Sequence, residues 1–181
     1  IESRILDLWR RLDAFAESNR RRKAQGAKDF VFYDGPPFAT GTPHYGHLLQ
    51  STVKDVVPRY WSMRGFHVER RFGWDCHGLP IEALAQKELD VDGAAGIRDL
   101  GVARFNEQCR SMVQTYVGEW RRTIERLGRW VDFDNDYKTM DRPFMESVWW
   151  VFKRLWDQGM VYRSHRIMPY SPKLSTPLSK F

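Results

Sequence analysis

The sequence predicts an α/β fold: the N-terminal half of a doubly wound parallel sheet, preceded by a helix. Three observations carry this. Short β-branched and aromatic runs alternate with stretches whose apolar residues recur every three or four positions. One succession of strand, loop, helix and strand fits within about 40 residues, enough for a right-handed crossover between parallel strands. Both strand-like runs of that crossover end abruptly in loops rich in glycine and proline.

The elements follow in order. Ile5, Leu8, Trp9, Leu12 and Phe15 have helical spacing, which predicts one amphipathic helix ending in Arg20-Arg21-Arg22-Lys23 and stopped by Gly26. Cations suit a helix C-terminus, so this basic run reads as a solvated helix end. Residues 30–33, Phe-Val-Phe-Tyr, read as a buried strand entering a tight loop. From 45 to 64, Leu48, Leu49, Val53, Val56, Val57, Tyr60 and Trp61 predict a helix that Pro58 kinks and Gly65 ends. Residues 66–72 read as the second strand. A short helix is predicted at 79–89, a small-residue connector at 93–101, a long helix at 100–127 with Gly128 as its stop, and another at 143–158 closed by Gly159. Val161-Tyr162 opens a further extended segment.

Composition excludes several classes. The chain has 181 residues, 42% hydrophobic and 29% charged, so it can bury a core and is neither a fibre nor a disordered tail. Its 29 Lys and Arg against 23 Asp and Glu leave a net charge of +6, which favours polyanionic partners without naming one. Cys76 and Cys109 offer neither a disulfide framework nor paired metal-ligand spacing, which suits a reducing compartment and a cytoplasmic location. The longest apolar run, around Val148 to Phe152, is far below the ~20 residues of a membrane helix, so no membrane partner is expected. The chain starts at Ile without Met and stops at Phe181, and both ends read as cuts.

Chemistry concentrates in two loops on one edge of the expected sheet. The loop at 35–47 joins the first strand to the first crossover helix, and in an open α/β sheet ligands bind beyond the carboxyl ends of the strands. The helix N-terminus that this loop feeds offers free N–H groups and a positive dipole end to phosphate. His44 and His47 share one face of that first turn and are placed to donate to phosphate oxygens, with Gly46 baring backbone for a flat base. This makes the fold Rossmann-like and nucleotide-binding. A metal held by the two histidines would need further ligands that the loop lacks, and plain turn chemistry is the bland alternative.

The second loop, Gly73-Trp74-Asp75-Cys76-His77-Gly78, ends the second strand. Asp75 is placed to bind the ammonium of a small zwitterion; its competing role is to cap the helix that follows. Cys76 beside His77 raises a thiol nucleophile, but neighbours in sequence point in different directions, and a small buried residue is the better reading. A third cluster, residues 128–137, carries Asp132, Asp134 and Asp136 at period two. It lacks the glycine and glutamate of a calcium loop and reads as an aromatic-anchored loop against the sheet.

These residues carry a family resemblance. D-G-P-P-F-A-T-G-T-P-H-Y-G-H, residues 34–47, resembles the first signature of the class I aminoacyl-tRNA synthetases, with His44-Tyr45-Gly46-His47 as its His-X-Gly-His element. The flanking D-G-P-P, R-R-F-G-W-D-C-H-G-L-P-I-E at 70–82, G-R-W-V-D-F-D-N-D-Y-K-T-M-D at 128–141 and M-P-Y-S-P-K-L-S-T-P-L-S at 168–179 resemble the isoleucyl enzymes more than the valyl or leucyl ones. The resemblance implies activation of isoleucine with ATP and Mg²⁺ to isoleucyl-adenylate, then transfer to tRNA(Ile), by a monomer. It implies ATP contacts from Thr40, Gly41, His44, Gly46 and His47, with catalysis by His44 and His47. It implies amino-acid contacts from Gly35, Pro36 and Asp75.

Departures narrow this. The Lys-Met-Ser-Lys-Ser signature is absent, and Ser179-Lys180 does not replace it, so the chain is expected to be the first half of a split catalytic domain. By the same resemblance, 1–28 is an N-terminal helical segment, 29–170 the catalytic half and 171–181 the start of the connection to an editing insertion. Some relatives carry a Cys-X-X-Cys pair where this chain has Ser171-Pro172-Lys173-Leu174, so neither zinc nor another protein-bound metal is expected. A non-catalytic tRNA-binding or regulatory module, a thiol hydrolase and a valyl enzyme are the alternatives.

Overall fold

A computed structural model describes residues 1–38, 41–173 and 175–178, apart from the side chain of Gln114. The chain divides into two compact units, 1–144 and 145–181. In the first, α1 (Glu2–Arg11) and α2 (Ala14–Ala24) replace the single predicted helix. The break is at Asp13, in the left-handed region at φ 47°, a conformation that Asp tolerates better than most residues. The break still lets Trp9 and Phe15 reach the same ring, Trp130, at 5.3 and 6.2 Å. Arg59 covers Trp130 from another side at 4.3 Å.

Helix α3 (Tyr45–Met63) runs as predicted and keeps Pro58 inside it, buried. The strand expected at 30–33 is extended backbone without a continuous ladder. It is tied at its ends by parallel bridges, Asp29 to His67 and Phe38 to Asp75. Val31 and Tyr33, between the ties, point to solvent. The second strand begins with the His67 bridge and becomes regular only at β1 (Arg71–Trp74). The cluster at 128–137 is not a loop. It holds β2 (Asp132–Lys138), parallel to β1 with Gly73 opposite Tyr137. Three parallel segments therefore lie side by side, the 29–38 segment, β1 and β2.

The three residues Arg71 to Gly73 of β1 face the six of Asp132 to Tyr137, so β2 bulges. Asp132 folds the bulge by accepting the backbone N–H groups of Asp134 and Asn135 at 2.8 and 3.0 Å. Asp134 pairs with Arg121, and Asp136 with Lys138 and the Trp74 indole N–H. The three aspartates that mimic a calcium loop thus turn to separate partners. Their alternation is a strand's period of two.

Helix α4 (Leu79–Leu89) is as predicted, while the connector is helical, α5 (Gly93–Leu100). Small residues hide that helix's apolar face, but Ile97 and Leu100 pack with Phe105 and Met112 of α6 (Val102–Leu127). Farther along α6, Val113, Trp120 and Ile124 join Phe72, Trp74 and Phe133 in the main core under the sheet. The unit boundary falls inside α7 (Arg142–Asp157). In the second unit, Trp149, Trp150 and Trp156 of α7 are exposed, and β3 (Tyr170–Ser171) pairs antiparallel with β4 (Thr176–Pro177).

Gly73 is required by its neighbour. A Cβ there would stand 2.1 Å from Cζ of Tyr137, whose ring lies across β1. Gly73→Ala is expected to lower stability by about 1–3 kcal/mol through overpacking. Adding Tyr137→Ala should restore part of the loss, a coupling that urea unfolding of both singles and the double would measure.

Candidate nucleotide site at the sheet edge

The site begins with Asp34, buried at the end of the first extended segment. Its Oδ2 accepts from Arg129 Nη2 at 2.7 Å, with both side chains almost wholly out of solvent. Lys54 of α3 lies 2.8 Å from Oδ1, off the hydrogen-bonding angle, while donating to the Gly35 carbonyl. The backbone carbonyl of Asp34 accepts the Tyr137 hydroxyl at 2.6 Å. Burial pushes that phenol above its ordinary range, as does the neighbouring Asp34 charge. Elements far apart in sequence therefore clamp the entry to the 35–47 loop.

A second anchor holds the middle of the loop. Trp120, buried in the core, donates its indole N–H to the Gly41 carbonyl at 2.9 Å. Gly41 has φ 67°, a left-handed conformation natural to glycine. His47 rests on the same indole, its ring 4.7 Å from that of Trp120.

His44 and His47 come together as the sequence predicts. Their rings stack with centroids 3.7 Å apart at the N-terminus of α3, where His44 is the N-cap. Each cap is made through Nδ1. His44 Nδ1 accepts from Gly46 N at 3.1 Å, and His47 Nδ1 accepts from His44 N at 3.2 Å. A neutral imidazole whose Nδ1 accepts must carry its proton on Nε2, so the hydrogen-bond network assigns both rings an Nε2–H donor. Burial lowers the pKa of His47, and the basic neighbours His44 and Lys54 lower it further by opposing a second positive charge, which favours the neutral form. Gly46 takes a role the sequence did not announce. A Cβ there would come within 3.0 Å of the His44 ring, so glycine lets that ring fold back over the first turn.

The second loop meets the first. Asp75 N donates to the Pro37 carbonyl at 2.8 Å, next to the Phe38 bridge, which sets Asp75 against the two residues that follow Gly35 and Pro36 in sequence. Asp75 is not a helix cap, because α4 starts at Gly78 with no side-chain cap. Among the described residues its carboxylate accepts only a long 3.5 Å bond from His77 N. Cys76 is buried, its thiol donates to the Trp74 carbonyl and its pKa is pushed up by burial, the opposite of a reactive thiolate. Thr40 and Ser179-Lys180 lie outside the described residues. No sequence motif marks Trp120 or Lys54; Arg129 and Tyr137 lie within the signature at 128–141, which gave neither of them a role.

Residues 4–181 match the family described as tRNA synthetases class I (I, L, M and V), and the chain belongs to that family. Within it, the chain is similar to isoleucine–tRNA ligases. It is 57% identical over 180 residues to the cytoplasmic enzyme of Saccharomyces cerevisiae, 57% to the isoleucine–tRNA ligase of Chlamydia caviae and 54% to the cytoplasmic enzyme of Mus musculus. These matches cover 99% of this chain but only 17%, 17% and 14% of the relatives, so the chain spans about a sixth of their length. A crystal structure of a ternary complex of Agrobacterium radiobacter K84 agnB2 LeuRS with tRNA and LeuAMS shares the fold. Its TM-score is 0.59 at 21% identity, over 91% of this chain and 20% of that one.

Two outcomes are expected. Arg129→Met leaves Asp34 buried beside Lys54 alone and should cost about 3 kcal/mol or more, with Asp34→Asn added to it restoring part of the loss in urea unfolding. The second concerns pH. Folded His47 takes up its proton below the 6.5 of an ordinary histidine, so the unfolded chain binds more protons just under that value. Its contribution is complete above about pH 6.5 and is lost as pH falls through the lower folded value. The melting temperature should drop more steeply between about pH 7 and 5.5 in the wild type than in His47→Gln; equal slopes would contradict the assignment.

Proposed function

We propose that this chain is the part of an isoleucine–tRNA ligase that forms the adenylate site: isoleucine and ATP react to isoleucyl-adenylate and pyrophosphate, and the full-length protein then esterifies tRNA(Ile). The observation that carries the reading is the pair of capped histidines presenting Nε2–H groups at the N-terminus of α3. In this reading the three parallel segments belong to a doubly wound, Rossmann-like sheet. Residues 29–170 form the first half of the catalytic domain, 1–28 its helical leader and 171–181 the start of the connection beyond it.

The chemistry follows from charge. An isoleucine carboxylate oxygen attacks the α-phosphorus of ATP, the bond to the bridging oxygen breaks and pyrophosphate leaves. Charge on the nonbridging oxygens rises in the pentavalent transition state. Two fixed N–H donors and the helix dipole stabilise that charge without reorganising. Thr40, Gly41 and Gly46 line the ATP side by resemblance. Asp75 holds the isoleucine ammonium, with the carbonyls around Gly35 and Pro36 as further acceptors, and so aims the carboxylate. Mg²⁺ enters as the counter-ion of ATP, as the resemblance implies. The cytoplasm is the proposed location, in line with the names of the eukaryotic relatives. A monomer is the proposed state. Among the described residues no helix is long and apolar enough to cross a membrane.

In the full-length protein, His47→Ala is expected to slow adenylate formation about 10²-fold or more, as losing one transition-state donor does, with isoleucine affinity nearly unchanged. Asp75→Ala should instead weaken isoleucine roughly tenfold to a hundredfold. Rapid-quench kinetics of adenylate formation reads both. An unchanged His47→Ala rate would remove the catalytic role. Intact tRNA binding without any adenylate formation by the wild type would favour the binding-module alternative.

A further inference from the structure

A second polar cavity lies away from the histidines. About 520 Å³ in volume, it opens between α2 and the start of the sheet, lined by Asn19, Lys23, His67, Glu69, Arg70 and Arg71 among others. Arg70 is the unusual member. Its residue is 2% exposed, yet among the described residues only Nη2 is bonded, to the Pro58 carbonyl at 3.0 Å, and Nε and Nη1 have no partner. The carboxylate that acts most on it, Asp55, already holds Arg59 and the Trp130 N–H. Phe15 lies 5.3 Å beneath the guanidinium but supplies no acceptor. Burial accordingly pulls the Arg70 pKa down to about 10. A guanidinium buried without an anion is costly, and its free N–H groups point to a missing acceptor.

The rest of the wall defines that acceptor. Lys23 joins no ion pair among the described residues, and Arg71 donates its Nε–H to the Asn135 carbonyl. Of the acids on the wall, Asp132 is occupied by Asn135 and two backbone N–H groups, and Glu69 is exposed. Asn19 contributes a buried Oδ1 that also has no partner. An acceptor beside unmet cationic donors matches an anion that also carries a hydroxyl.

We propose that this cavity binds a phosphate group bearing a proton, either free hydrogen phosphate or a terminal phosphate monoester, toward which the Arg70 and Asn19 side chains turn their solvent-shielded, unpartnered atoms, Arg70 Nε–H and Nη1–H donating to its oxygens and Asn19 Oδ1 accepting its hydroxyl. Lys23 and Arg71 supply the cationic entrance. Asn19→Asp places a like charge against the ligand while leaving the packing around Arg70 in place.

Isothermal titration of the chain at constant ionic strength tests this with three probes: inorganic phosphate, an RNA hexamer with a 5′-phosphate, and the same hexamer with a 5′-hydroxyl. Binding of phosphate, or of the 5′-phosphorylated hexamer alone, that Asn19→Asp and Arg70→Met each weaken roughly tenfold or more supports the site and identifies its source. His47→Ala should leave that affinity unchanged, which separates this site from the nucleotide site. Equal binding of both hexamers without phosphate binding, or phosphate affinity that Asn19→Asp leaves intact in a chain melting like the wild type, would overturn it. So would no binding of any probe.

Discussion

The buried pair of Asp34 and Arg129 is the constraint on which the site depends. A carboxylate without solvent is tolerated only where a cation and hydrogen bonds surround it. Here the partners come from distant elements: Arg129 just before β2, Lys54 on α3, and the Tyr137 hydroxyl on the carbonyl of the same residue. Satisfying Asp34 fixes where the first extended segment ends relative to α3 and β2. The Gly35-Pro36-Pro37 turn then starts from one place. Gly73 completes the arrangement by giving the Tyr137 ring room to lie across β1.

From that fixed start the loop needs one more tether, and Trp120 supplies it while also forming part of the core. The chemical consequence lies in the two histidines. A Ser or Asp cap would satisfy the helix N-terminus equally well. Imidazole does so through one nitrogen and leaves the other as a donor, so the contact that stabilises α3 also sets the tautomer that the proposed phosphate role requires. In the proposed reading stability and function share atoms, because the rings that cap α3 are the rings that keep an Nε2–H donor.

Local chemistry made much of this legible in advance. Helix bounds at α3, α4 and α7 follow from apolar spacing, glycine stops and a proline near an N-terminus, all short-range signals. The histidine pair was legible because three-residue spacing at a helix start has one geometric meaning. What escaped is non-local. The left-handed Asp13 splits a helix whose periodicity runs straight through it. β2 looked like a loop because its bulge is built by Asp132 side-chain bonds, and its acidic residues are satisfied by Arg121, Lys138 and Trp74. Residues 30–33 looked like a full strand, but only its ends are tied by bridges. No pattern along the chain assigns Arg129 to Asp34 or Trp120 to Gly41, because these partners meet only in the fold.

The central claim is that His44 and His47 are neutral rings, capped through Nδ1 and protonated on Nε2. Long-range ¹H–¹⁵N correlation spectra of the five histidines near pH 7.5 test it directly. The account predicts Nε2–H tautomers for both residues, with His47 taking up a proton only below the ordinary histidine range. Nδ1–H tautomers, or a His47 charged at neutral pH, would contradict it.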